Sequence, residues 1–119
     1  MEKTSTLEQF ELLVLTAVAS LEDAYGPTIH AKVEELKGKK VTFGPVYSAL
    51  NRLENKGYVR SMTGVGGPQR AGRPKRNYTI EPSGVKALKD STQTAERVAG
   101  ALQPLWGTLD GIANTTEQD

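Results

Sequence analysis

From Val85 to Ala113 apolar or small residues recur at Val85, Leu88, Thr92, Ala95, Ala99, Leu102, Trp106, Leu109 and Ala113, alternately three and four positions apart. No other feature narrows the fold as much. A stripe on a seven-residue repeat runs along one side of a helix and has to be covered by something. Two coverings are open: the same stripe of a second copy, or the helix's own domain. Thr92 is the polar member of the stripe, and Gly100, Pro104, Gly107 and Gly111 interrupt the helical pattern. Pro104 lacks an N–H and removes one backbone hydrogen bond near Gly100, so the segment is expected to kink or split there. The terminal stretch NTTEQD is expected to fray.

Upstream, Leu7 to Leu21 carries Leu7, Phe10, Val14, Ala17, Val18 and Leu21 on a 3.6-residue period, with Leu12, Leu13, Leu15 and Ala19 on other sides. This predicts a helix with two apolar faces, covered by its own core and by something further, such as another subunit. Ser5 or Thr6 can cap it, and Glu8 and Glu11 suit the positive end of its dipole. Pro27 fits the first turn of a second helix, which turns Ile29, Val33 and Leu36 inward and stops at Gly38. Val41 is placed to add one residue to a sheet edge. A third helix follows, capped by Thr42 or Gly44, with Pro45 in its first turn and Gly57 closing it. Its inward stripe is Val46, Ala49, Leu50 and Leu53, which leaves Tyr47, Ser48, Asn51, Arg52 and Asn55 on the outer face. Tyr58 to Thr63 and Arg76 to Ile80 alternate as half-buried strands around the connection GVGGPQRAGRP, the pattern of a hairpin. Three helices followed by a hairpin is the order of a winged helix-turn-helix. The fold class expected is mainly α with a small β-hairpin.

The chain has 119 residues, room for one core and little room for a buried enzyme cleft. Its net charge of +1 conceals a segregation: Leu36 to Ile80 holds ten of the fifteen lysines and arginines but one of the fourteen acids, Glu54. Such a block suits a polyanion, because each neutralised phosphate releases condensed counterions. The nine residues RAGRPKRNY, Arg70 to Tyr78, concentrate it in the hairpin connection. Zero cysteines exclude disulfides and Cys-based zinc sites, and the single histidine, His30, leaves no cluster for a metal. No cofactor is expected. His30 is read as a structural or surface imidazole. Glu34, Glu35 and His30 can be nominated for catalysis, but no nucleophile, base and orienting group occur at a recognisable spacing, so an enzyme is not expected. No apolar segment is long enough to span a bilayer and no export signal opens the chain, so the expected location is the cytoplasm.

Three motifs in chain order resemble the PadR family of transcriptional regulators, in its short type with a single C-terminal helix. LLVLTAVASLEDAYGPTIHAKVEEL is similar to the family's apolar first helix, Tyr-Gly turn and second helix. FGPVYSALNRLENKGYV resembles its recognition helix, matching at Gly44, Tyr47, Ala49, Leu50, Arg52, Leu53, Glu54 and Gly57, and departing at Pro45, Val46 and Ser48. GRPKRNYTIEPSG resembles its wing, matching at Gly72, Arg73, Pro74, Lys75, Arg76, Tyr78, Ile80 and Gly84, with Glu81 where the family often has Thr. The resemblance covers about Leu7 to Leu88. It implies a winged helix-turn-helix over residues 1–81 and a C-terminal dimerisation helix with its tail over residues 82–119.

The function implied is a homodimeric repressor that reads a palindromic stretch of double-stranded DNA. Thr42, Tyr47, Ser48, Asn51 and Arg52 would read bases, since Asn pairs bidentately with adenine and Arg with guanine. Lys37, Lys39, Lys40, Arg70, Arg73, Lys75 and Arg76 would hold phosphates or follow the minor groove. Some relatives bind aromatic or amphiphilic effectors between subunits near a tryptophan of the last helix, which points to Leu102 and Trp106 as an effector or dimer groove. The alternative is a winged helix used for protein or RNA contact. Against RNA stands the absence of an exposed pair of aromatics legible as a stacking platform.

Overall fold

The computed structural model describes residues 7–64 and 74–117. The element order is α1 (Gln9–Ser20), α2 (Gly26–Lys37), α3 (Phe43–Asn55), β1 (Val59–Thr63), β2 (Arg76–Ile80), α4 (Pro82–Leu102), a 3-10 turn (Gln103–Leu105) and α5 (Trp106–Glu117). The fold is mainly helical with one antiparallel hairpin, as the sequence pattern requires. The chain divides into two compact units, Met1–Leu88 and Lys89–Asp119.

In the first unit α1 is the centre of the core. Val14, Leu15, Ala17 and Val18 are all buried, and they meet Ile29 and Val33 of α2 and Val46, Ala49, Leu50 and Leu53 of α3. Each fully buried Leu, Ile or Val contributes about 1.5–3 kcal/mol relative to exposure. Around α1, Leu7, Phe10, Leu12, Leu13 and Leu21 are half-covered, and Ala19 is exposed. The candidate caps Ser5 and Thr6 lie outside the described residues. Instead Glu8 stands at the N-cap, and its backbone N–H donates to Glu11 Oε1 at 3.1 Å.

α2 begins where the sequence predicts: the Tyr25 N–H donates to Thr28 Oγ1 at 3.0 Å, and Pro27 lies in the first turn. Gly38 ends it in the left-handed region at φ 80°, donating its N–H to Glu34 O at 2.8 Å. α3 ends in the same way, with Gly57 at φ 81° and the Tyr58 N–H reaching back to Leu53 O at 2.9 Å. The hairpin pairs Val59 with Ile80 and Thr63 with Arg76, and its inward residues Val59 and Tyr78 close the core. The single residue added to the sheet is not Val41. It is Tyr25, which bridges to Asn77, while the Tyr78 N–H donates to Ala24 O at 2.8 Å. The link between α1 and α2 is thereby held against β2 by a one-residue bridge, and the sheet itself keeps two strands.

α4 starts with Ser83 Oγ donating to Gly57 O at 2.6 Å, and its Ala87 and Leu88 pack on the core. In the second unit Pro104 splits the helical segment: one turn of 3-10 geometry separates α4 from α5. Beyond it α5 stays helical through Glu117 rather than fraying from Asn114. Val98, Leu105 and Trp106 each expose about half their surface, while Leu102 and Leu109 are half-buried.

Candidate nucleic-acid interface

The inward stripe of α3 commits Val46, Ala49, Leu50 and Leu53 to the core, and the remaining positions follow from the period. Thr42, Tyr47, Ser48, Asn51, Arg52 and Asn55 are all exposed, as expected for a face turned to a partner. Thr42 occupies the N-cap position with an extended backbone, yet its side chain makes no capping hydrogen bond. The hydroxyl is free of a helix-capping task.

Arg52 has a structural partner that the sequence reading missed. Its Nε donates to Glu11 Oε2 at 2.8 Å, and Lys56 Nζ donates to Glu11 Oε1 at 2.7 Å. Glu11 is fully buried in α1, so this carboxylate ties the outer helix to the central one. Burial alone would push its pKa up. The hydrogen bonds from Lys56, Arg52 and the Glu8 N–H outweigh burial and hold the carboxyl below its ordinary value. The signal was present in the sequence: Glu11 falls in the stripe that runs from Leu7 to Val14 and Val18, a position no unpaired acid can occupy.

The turn between α2 and α3 is built around His30 and Glu34. His30 Nε2 is hydrogen-bonded to Val41 O, and Glu34 Oε2 accepts the Val41 N–H at 2.9 Å. The His30 ring also stacks on Phe43, centroids 4.0 Å apart and planes 12° apart, which makes it a structural imidazole. Phe43 lies 6.0 Å from Tyr47 at 18°. These two rings are 47% and 42% exposed, so an exposed aromatic pair exists where the sequence showed none. Continuing the stripe of Val46, Leu50 and Leu53 back by three places Phe43 inward, but at the first residue of the helix there is no core left to cover it. Tyr47 does not stand free: a Cβ at Gly26 would collide with its Oη and come within 2.8 Å of its Cζ, so the ring lies over the start of α2. Lys37, Lys39 and Lys40 are exposed at and beyond the end of α2, next in sequence to this cluster.

On the hairpin, Arg70 and Arg73 lie outside the described residues. Lys75 donates to Asp23 Oδ2 at 2.6 Å and sits 4.3 Å from the centroid of the Tyr25 ring. Asn77 Nδ2 donates to the other oxygen of Asp23 at 2.8 Å. The hydrogen bonds from Lys75 and Asn77 lower the pKa of Asp23. Arg76 is 57% exposed, with Nη2 3.8 Å from Glu54 Oε1, and Ser61 Oγ donates to Glu54 Oε2 at 2.7 Å. Because Glu54 follows Asn51 by three residues on α3, the root of the hairpin stands beside the outer side of that helix. The structure thus brings the α3 face and Arg76 together in the first unit. The candidate groove residues Leu102 and Trp106 belong to the second unit, half-buried and exposed respectively. Among the described residues no group of His, Asp and Glu is placed to hold a metal ion, and no helix is long and apolar enough to cross a membrane.

Comparison with known proteins agrees with this geometry. Over 92 residues the chain is 30% identical to an uncharacterised 37.1 kDa protein in transposon TN4556 of Streptomyces fradiae, an alignment covering 77% of this chain and 24% of that protein. The chain thus spans about a quarter of the length of this curated relative. Its fold is similar to that of a PadR family transcription regulator from Clostridium difficile, with TM-score 0.66 and 21% identity over 83% of this chain and 99% of that one. A PadR-like transcriptional regulator from Bacillus cereus gives TM-score 0.66 and 20% identity over 81% and 89% of the two chains. The model of the transcriptional regulator PadR-like family matches residues 14–90, which includes α2, α3, the hairpin and the start of α4. The chain belongs to that family, a family of transcription regulators and not of enzymes.

Proposed function

We propose that the protein is a homodimeric repressor that binds a palindromic double-stranded DNA operator, with α3 of each copy in a major groove and each hairpin against flanking backbone or minor groove. One observation supports this above all. The outer side of α3 is bordered by the turn that carries Lys39 and Lys40 and by Arg76 of β2, within the stretch that holds ten of the fifteen basic residues. Asn51, Ser48 and Thr42 read base edges, and Tyr47, held over Gly26, reads a base or reaches a phosphate through its hydroxyl. Arg52 keeps Nε on Glu11 and offers its outer nitrogens to the groove. Lys37, Lys39, Lys40, Arg70, Arg73, Lys75 and Arg76 position the duplex, Lys75 by exchanging Asp23 for a phosphate.

In this reading residues 1–81 bind DNA and residues 82–119 join two copies along the seven-residue stripe, through Ala99, Leu102, Trp106 and Leu109. A small aromatic or amphiphilic effector, bound near Leu102 and Trp106, relieves repression, and the protein works in the cytoplasm. The exposed pair Phe43 and Tyr47 gives the RNA alternative one supporting observation, yet His30 already covers one face of Phe43. A mobility-shift comparison decides: a palindrome selected from a random duplex library should bind far better than its half-site, random duplex or RNA of equal length. Equal binding to RNA, or indifference to the palindrome, would overturn the proposal.

A further inference from the structure

Phe43 is the feature of this surface that the assignment above leaves unused. It is the first residue of α3, directly after Thr42 and close in sequence to Lys39 and Lys40, and 47% of it is exposed. Together with the exposed Tyr47 it presents an apolar aromatic patch beside these lysines. The ring is not loose. His30 stacks on it at 4.0 Å and is itself anchored to Val41 O, and Tyr47 lies nearly parallel at 6.0 Å.

We infer that Phe43 is a specificity-determining residue that recognises the C5-methyl group of a thymine in the major groove. The inference rests on the proposed binding of duplex DNA by α3. Base edges are contacted by the N-terminal residues of a groove-inserted helix, and Phe43 is the N-terminal residue of this one. In a stacked duplex the faces of the bases are hidden, and the apolar group that projects into the major groove is the thymine methyl. With one face against His30, the ring cannot act as a wedge with bases on both sides; its open part suits a methyl group. Placing the ring in advance through His30 reduces the ordering cost of making that contact.

The test uses the full-length protein and a duplex selected by it from a random library. Each thymine is replaced in turn by deoxyuridine, which lacks only the methyl group. One replacement should weaken wild-type binding by about three- to fivefold, the value of one buried methyl-sized group, and replacement in both half-sites by roughly ten- to twenty-five-fold. Phe43→Ala should bind the thymine duplex as weakly as wild type binds the deoxyuridine duplex, and should not distinguish the two. Phe43→Leu, which keeps an apolar side chain, should retain part of the discrimination. Thermal unfolding followed by circular dichroism establishes that the variants are folded. Should Phe43→Ala still prefer thymine by the wild-type factor, or should no thymine matter to wild type, the inference fails while the proposed function stands. A wild-type protein indifferent to duplex sequence takes both down.

Discussion

At the scale of single residues, the molecule separates side chains that hold α3 from side chains that are offered outward. Glu11 belongs to the first kind. Glu11→Gln should destabilise the first unit by about 3 kcal/mol, because two cations lose a buried counter-charge, the effect being moderated by the partial exposure of Arg52. Denaturant titration measures this directly. The pH dependence has a definite sign: the folded-state pKa of Glu11 is lowered, so its contribution is complete above the ordinary carboxylate range and disappears as pH falls through the lowered value. In Glu11→Gln that part of the acid sensitivity should be missing. Asn51 belongs to the second kind. Asn51→Ala should remove about 1–3 kcal/mol of preference for operator over random duplex for each half-site and leave stability unchanged. Arg73→Ala should weaken all duplexes alike and reduce the slope of log K against log salt by about 1.8 in the dimer, about 0.9 for the phosphate contact of each copy, readable by fluorescence anisotropy at several salt concentrations.

At the scale of elements, periodicity and punctuation were the legible part. β2 runs over the residues its alternation predicts, and α2 and α3 end at Gly38 and Gly57 as read. Contacts between distant segments were not legible. Nothing local in Ala24 and Tyr25 shows that they will pair with β2, and an exposed Phe43 contradicts the very stripe that locates α3. Of the candidate face, exposure of Thr42, Tyr47, Ser48, Asn51 and Arg52 follows from the period, whereas the engagement of Arg52 with Glu11 and of Lys75 with Asp23 spans too many residues for any local rule. Gly84 illustrates the same limit. A Cβ there would collide with the Tyr58 carbonyl oxygen and press on Ile80, so α4 leaves the hairpin at van der Waals contact. Gly84→Ala should cost about 1–3 kcal/mol and lower Tm in calorimetry, although alanine favours helix more than glycine does.

At the scale of the whole molecule, the proposed pairing of two copies is open to a single substitution. Leu109→Asp places a charge on a half-buried position of the proposed seam in the second unit. It should shift the species seen by light scattering from dimer to monomer and lower affinity for the palindrome to that for a half-site, without lowering the stability of the first unit. The knot of α1 and α3 around one carboxylate has a further meaning. If α3 reads DNA as proposed, rolling it to suit an imperfect base sequence would pull Arg52 and Lys56 off Glu11, so the helix would meet DNA as a rigid key that fits or is refused. Tolerance for variant operators must then come from the DNA bending toward the protein, and pliant half-sites should outlast stiff ones when their contacted bases are the same.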